Sequence, residues 1–212
     1  MLITVDLLKE KGASNHMIRW FSSHVGSSAS YKETMTAIVK KNEERLGIWM
    51  MNNFDCHSCV NTKSSISTDL LMYAGNIESE GSITAKRIIV MGNIKAKEIS
   101  AQYIDVSGVI ESSDGIDTTS DIICGGLKSG RLRAGASLRT KGDVLIRGSA
   151  SIQTDMLSMG DVIADGSIFI GGILKAAGMV KPGKGKCLIT GACQSSGEIR
   201  SSVHFDGIAP GF

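Results

Sequence analysis

Apolar and polar positions fall into a repeating frame from Gly75 onward. The triplets Gly75-Asn76-Ile77, Gly92-Asn93-Ile94, Gly108-Val109-Ile110, Gly125-Gly126-Leu127, Gly142-Asp143-Val144, Gly160-Asp161-Val162, Gly178-Met179-Val180 and Gly197-Glu198-Ile199 are separated by 17, 16, 17, 17, 18, 18 and 19 residues. One period further back lies Ser58-Cys59-Val60, which keeps the aliphatic and lacks the glycine. A second ladder reads Ile66, Ile83, Ile99, Ile116, Leu132, Ile152 and Ile168, and a third Leu71, Ile88, Ile104, Ile122, Leu138, Leu157 and Ile173. Within a turn the aliphatics mostly stand five or six residues apart, as in Ile77, Ile83, Ile88 and Ile94. A fixed period just under twenty marks a solenoid. Three anchors per turn predict a mainly β, triangular β-solenoid of about eight turns, with one short strand on each side.

One turn of this length cannot bury its own aliphatics. Turns stacked about 4.8 Å apart pair their backbones and build a continuous dry core, and eight of them make a rod on the order of 40 Å long. Glycine is expected at the corners, where the chain bends sharply and positive φ is common. No proline precedes Pro182, as a stack of inner strands requires.

The first 55 residues carry a different pattern. Val5 to Lys11 reads as a short helix closed by Gly12. Ser14 or Asn15 opens a second, with Met17, Trp20, Phe21 and His24 at i, i+3, i+4, i+7. Ser30-Tyr31-Lys32-Glu33 is a capping box for a third, along which Met35, Ile38, Val39, Leu46, Trp49 and Met50 form an apolar stripe. Three organisational units follow: a helical cap or appendage over 1–57, the solenoid over 58–203 and a C-terminal cap or tail over 204–212. The helical stripe reads as packing on the first turn or as a dimer or partner surface. A third reading sets Trp20, Phe21 and Trp49 against a membrane surface, and the polar faces, which are not notably basic, favour it least.

Composition sharpens the boundary: of ten aromatics, only Tyr73, Tyr103 and Phe169 fall between residues 61 and 200. A net charge of +2 names no partner in bulk. Charge is nonetheless segregated. Residues 105–121 hold five acids without Lys or Arg, and residues 128–147 hold six basic residues against Asp143. Successive turns of opposite sign suit side-by-side association in an antiparallel or staggered sense, or anion binding at Arg131, Arg133 and Arg139, or plain solvation. No aromatics interleave with the basic run, so nucleic acid is not an expected partner. The stretch Met1 to Lys11 carries too many charges for a signal peptide, and no apolar run approaches membrane-spanning length. A cytoplasmic protein with reduced cysteines is the expectation.

Chemistry has little to stand on. Cys56-His57-Ser58-Cys59 has metal-like spacing, but Cys187 and Cys193 lie some seven turns away, so no four-ligand site forms within one chain. Cys124 falls beside a ladder and reads as core. His16, His24, His57 and His204 are the four histidines, and none lies within residues 58–203. The six-residue step of hexapeptide acyltransferases fails here, and the turns are shorter than those of carbohydrate-cleaving β-helices. Asp114 and Asp117 form a carboxylate pair without the glycine-rich calcium repeat. Neither an enzymatic activity nor a metal or cofactor is expected.

From about Val60 to Ile199, two-thirds of the chain, turns such as Val90-Met91-Gly92-Asn93-Ile94-Lys95-Ala96 and Gly142-Asp143-Val144 resemble the bactofilin family of bacterial cytoskeletal proteins. The resemblance implies a right-handed triangular β-helix without catalysis or nucleotide, polymerising end to end as a cytoplasmic or membrane-associated scaffold. The chain departs from that family in its helical segment, which stands where bactofilins usually carry a short disordered tail. Open terminal turns drive end-to-end growth. Helices on the first turn block one end and leave Ile199, Val203, Phe205, Ile208 and Phe212 as the self-association surface. Two classes follow: a self-associating scaffold, either a filament or a capped dimer, and a rigid binding module that engages a protein or anion through the helices or the charged turns.

Overall fold

The structure, a computed structural model, describes residues 1–54, 59–183 and 186–197, and the backbone of 203–205. Two compact units, Met1–Cys56 and His57–Phe212, divide the chain.

The first unit opens with strand β1 (Leu2–Thr4), followed by α1 (Val5–Glu10) and α2 (Asn15–His24). Strand β2 (Ser28–Ser30) then runs antiparallel to β1, a pairing the helical periodicity gives no hint of. The predicted starts hold. Ser14 caps α2 by accepting from the Met17 amide, and Ser30 with Glu33 forms the capping box of α3 (Tyr31–Lys41). The Ser30 amide and hydroxyl donate to the Glu33 carboxylate at 2.9 and 2.7 Å and hold it below its ordinary value. The third helix is not continuous to Met50. Asn42, left-handed at φ 56°, ends α3, and α4 (Glu44–Asn53) begins again two residues on. Asn tolerates that backbone, and the apolar stripe across both helices masks the break.

The second unit is the β-solenoid, built of parallel strands stacked turn on turn. The first side carries Cys59–Thr62, Asn76–Ser79 and then residues 94–97, 110–112, 127–129, 144–146, 162–164 and 180–182. Its register pairs Val60 with Ile77, Ile77 with Ile94, Ile110 with Leu127, Leu127 with Val144, Val144 with Val162, and Val162 with Val180. The second and third sides stack in the same way, so the first inward position of each side closes a layer of three side chains per turn, and the position two residues on also faces inward. The layers Ile77/Ile83/Ile88, Ile94/Ile99/Ile104 and Ile110/Ile116/Ile122 are all isoleucine and the next, Leu127/Leu132/Leu138, is all leucine. Every one of these residues is at most 2% exposed. β-branched side chains have few χ1 choices, so identical isoleucines stacked one rung apart suit so narrow a core.

Two ladder assignments need correction. The residue above Leu132 is Ala150, and Ile152 pairs with Ala134 two places on. Positions i and i+2 of a strand both point inward, so the pattern alone picks the larger residue. On the third side Leu138 is followed by Met156 and Leu174, leaving Leu157 and Ile173 outside at 37% and 38% exposure. There the parity of the strand, not hydrophobicity, decides the face.

Corner glycines have a different cause from the one expected. Among the described residues the positive-φ glycines are Gly12 and Gly26, both in the first unit. Most solenoid glycines are instead required by close approach, Gly126 being an exception. A Cβ on Gly125 would stand 2.7 Å from the Ser107 carbonyl oxygen and 2.8 Å from that of Gly108. The polar residue after the glycine also has a structural role: Asn93 N donates to Asn76 Oδ1 at 2.8 Å, Val109 N to Asn93 Oδ1 at 2.7 Å, and Asp161 N to Asp143 Oδ1 at 2.8 Å. Each such side chain satisfies a corner amide one turn along, where ladder pairing lapses.

Candidate interaction surface

The inner layers fix which side chains face solvent, and the outward position next to each first-side aliphatic builds a column. Glu78, Lys95, Glu111 and Lys128 occupy four consecutive rungs, with Leu145, Ile163 and Lys181 continuing the line. The 16-residue step from Lys95 to Glu111 follows the bond from the Gly108 amide to the Gly92 carbonyl. Glu78, Lys95, Glu111, Lys128, Leu145 and Ile163 line a groove of about 1050 Å³ together with corner residues such as Lys97, Ser113 and Arg147. Glu111 and Lys128 close an ion pair at 3.2 Å, while Glu78 and Lys95 stand in register without closing one. The signal for this column was in the sequence, at the residue after each first-ladder aliphatic, and only the stacking makes its alternation of sign visible.

The basic run does not form one patch. Arg131 lies at the corner after the first side and reaches Glu98 at 2.8 Å; Arg133 is mid-strand on the second side beside Asp117; Arg139 is on the third between Ile123 and Leu157. A 17-residue turn distributes the six cations of this run around all sides, so Arg131, Arg133 and Arg139 do not share one face. What the acidic and basic stretches make instead are pairs between turns: Lys128–Glu111, Arg131–Glu98 and, at 3.9 Å, Lys97–Asp114. Arg147 spans two turns to donate to the Ser113 carbonyl at 2.7 Å. On the third side Arg87 stacks over Tyr103 at 5.1 Å. Burial raises the Asp105 carboxyl against the opposing pull of Tyr103 and Lys141.

Trp20 and Phe21, read from the sequence as packing residues or as a partner or membrane surface, are buried at 7% and 1% exposure. His24 stacks on the Trp20 ring at 4.9 Å, and half-buried Trp49 meets Phe54 edge-on at 5.9 Å. Aromatic residues at helical spacing here serve packing. Of the expected self-association residues, Val203 and Phe205 lie on a strand paired with Cys187–Ile189, while Ile199, Ile208 and Phe212 lie outside the described residues.

Cys56 and His57 also lie outside them, and Cys59 is exposed. Cys124 is core, as its place beside a ladder implied, and burial pushes its thiol up to about 12; Cys187, also buried, is raised to about 11. Such thiols stay protonated at neutral pH and are poor nucleophiles. Among the described residues no group of three His, Cys, Asp or Glu side chains is disposed to hold a metal ion, and no helix is long and apolar enough to cross a membrane.

Comparison of the chain with family models, with curated proteins and with solved structures finds no match.

Proposed function

We propose that the chain is a non-catalytic scaffold whose β-solenoid associates with further copies through its C-terminal end. The observation that carries this reading is the state of that end. The strand Cys193–Ser195 pairs with Leu174–Ala176 and with no other strand among the described residues, while the core is still fully buried at Ile189 one strand earlier. A parallel strand whose far edge pairs with no other strand among the described residues, over an apolar column, is a template for another strand, and a second copy supplies it without any change of fold. Self-assembly of this kind needs neither cofactor nor nucleotide.

The test is light scattering and negative-stain electron microscopy of the full chain beside Phe205→Arg, which puts a charge on the last strand. Dimers or filaments from the wild-type chain, and monomers from the variant, are the expected result. Equal mass for the two removes this end as the interface, and a wild-type chain that stays monomeric at every concentration removes the scaffold reading.

A second reading, a rigid module for a protein partner, draws on the exposed apolar side chains around the third side: Met159 at 62%, with Leu157 and Ile173. Met159→Lys with Ile173→Lys then abolishes partner capture and leaves self-association intact.

A further inference from the structure

The column Glu78, Lys95, Glu111, Lys128 has a symmetry that a random set of solvated charges lacks. Read upward its signs are minus, plus, minus, plus; read downward they are the reverse. Any such sequence is antisymmetric about its midpoint. We propose that the first side of the solenoid is a contact surface for a second copy of the chain laid antiparallel against it.

A two-fold axis that crosses the rod between the rungs of Lys95 and Glu111 sets Lys95 against Glu111 of the other copy. The same axis sets Glu78 against the other copy's Lys128, and all four contacts repeat by symmetry. A parallel, in-register pair instead puts Glu on Glu and Lys on Lys in every rung. Rungs about 4.8 Å apart lie well inside the screening length of about 8 Å at physiological salt, so the misaligned arrangement is penalised. A parallel pair offset by one rung also matches signs, but it leaves a rung over at each end and does not close.

Two further observations point the same way. Glu78 and Lys95 are neighbours in register yet close no ion pair within the copy, so both remain available to another chain. The four charges sum to zero, so the same column of an approaching copy meets no net repulsion from them. Four rungs make a small interface, at the low end of specific contacts, so a weak dimer forming at roughly tens to hundreds of micromolar is expected. This contact is independent of the C-terminal end and stands or falls without it.

The experiment mixes isotopically labelled and unlabelled full-length chains and joins them with a zero-length carboxyl–amine cross-linker. Mass spectrometry then counts links between labelled and unlabelled copies. Antiparallel pairing gives intermolecular Glu78–Lys128 links, whereas a one-rung stagger gives Glu78–Lys95 links, and raising salt from about 50 to about 500 mM suppresses either. Lys95→Glu alone and Glu111→Lys alone each put like charges face to face twice per dimer and cut the Glu78–Lys128 links by at least tenfold. Mixed with each other, the two variants are complementary at every rung and the links return. That return separates the interface from a folding defect, because neither variant regains a fold by mixing. The proposal is overturned when labelled and unlabelled chains never link, when either single variant links like the wild type, or when the mixture stays unlinked.

Discussion

The turns before and after about residue 143 share one interior and have different exteriors. Inside, both keep three aliphatic positions per layer at or near zero exposure, whether Ile94/Ile99/Ile104 or Val162/Ile168/Leu174. Outside, the earlier first side presents Glu78, Lys95, Glu111 and Lys128, and the later one Leu145 and Ile163. The later turns also expose Leu157, Met159, Phe169 and Ile173. Backbone continuity changes as well: Ile94–Thr118 is one strand of 25 residues that rounds its corners, whereas the later strands are three residues each. The earlier layers use one residue type at a time. The later ones trade size between neighbours, Ala150 against Ile152. The contrast shows that stacking constrains only what points inward. The outward positions are free to differ, and a role is written there.

That contrast predicts its own largest effect. Ile104→Ala opens a cavity in an all-isoleucine layer and is expected to cost roughly 2–5 kcal/mol, while Leu157→Ala, outside in the later turns, stays within about 0.5 kcal/mol. Urea unfolding of the pair measures it, and equal losses would mean that the strand parity is misassigned. A middle-sized effect comes at the corners. Gly125→Ala places a methyl against two backbone carbonyls and is expected to destabilise by about 1–3 kcal/mol. Gly142→Ala, with one carbonyl oxygen at 2.8 Å and the next atom at 3.9 Å, should lose visibly less. Thermal melts that rank them the other way would return the glycines to a requirement for backbone freedom. The smallest effect is expected from Arg131→Gln, which removes an exposed pair with Glu98 and keeps most of the stem that covers Gly115. It should change stability by no more than about 1 kcal/mol. A larger loss in a chemical melt would give the charges between turns a structural weight that their exposure argues against.

Much of the fold was legible because the same residue kind recurs at the same place in every turn. The ladder from Ile77 to Val180 needed only counting, and the fall in aromatics put a boundary near residue 60, close to the division after Cys56. Legibility failed where one strand offers two equivalent readings. Ile152 and Ala150 both face inward, and Leu157 lies one residue from Met156 with nothing in hydrophobicity to rank them. It failed again in the first unit, where α3 and α4 share a stripe and β1–β2 join segments too short to show a period. Of the candidate surface, Arg131, Arg133 and Arg139 were legible as a basic run, and only the stacking shows that they stand on different sides. For Trp20 and Phe21 the sequence left packing and surface readings open, because amphipathic spacing looks the same whether the apolar face meets a partner or the unit's own core.

What the sequence determined by itself is the turn: its length, its three inward aliphatics and the glycine at its corner, because a period is a property of one dimension. What only the tertiary structure decided is which residues stand above one another. Neighbours along the axis are 16 to 19 positions apart in the chain, and a one-residue change of phase carries a side chain from core to solvent. The alternating column of Glu78, Lys95, Glu111 and Lys128 exists only along that second direction, created when the turns stack.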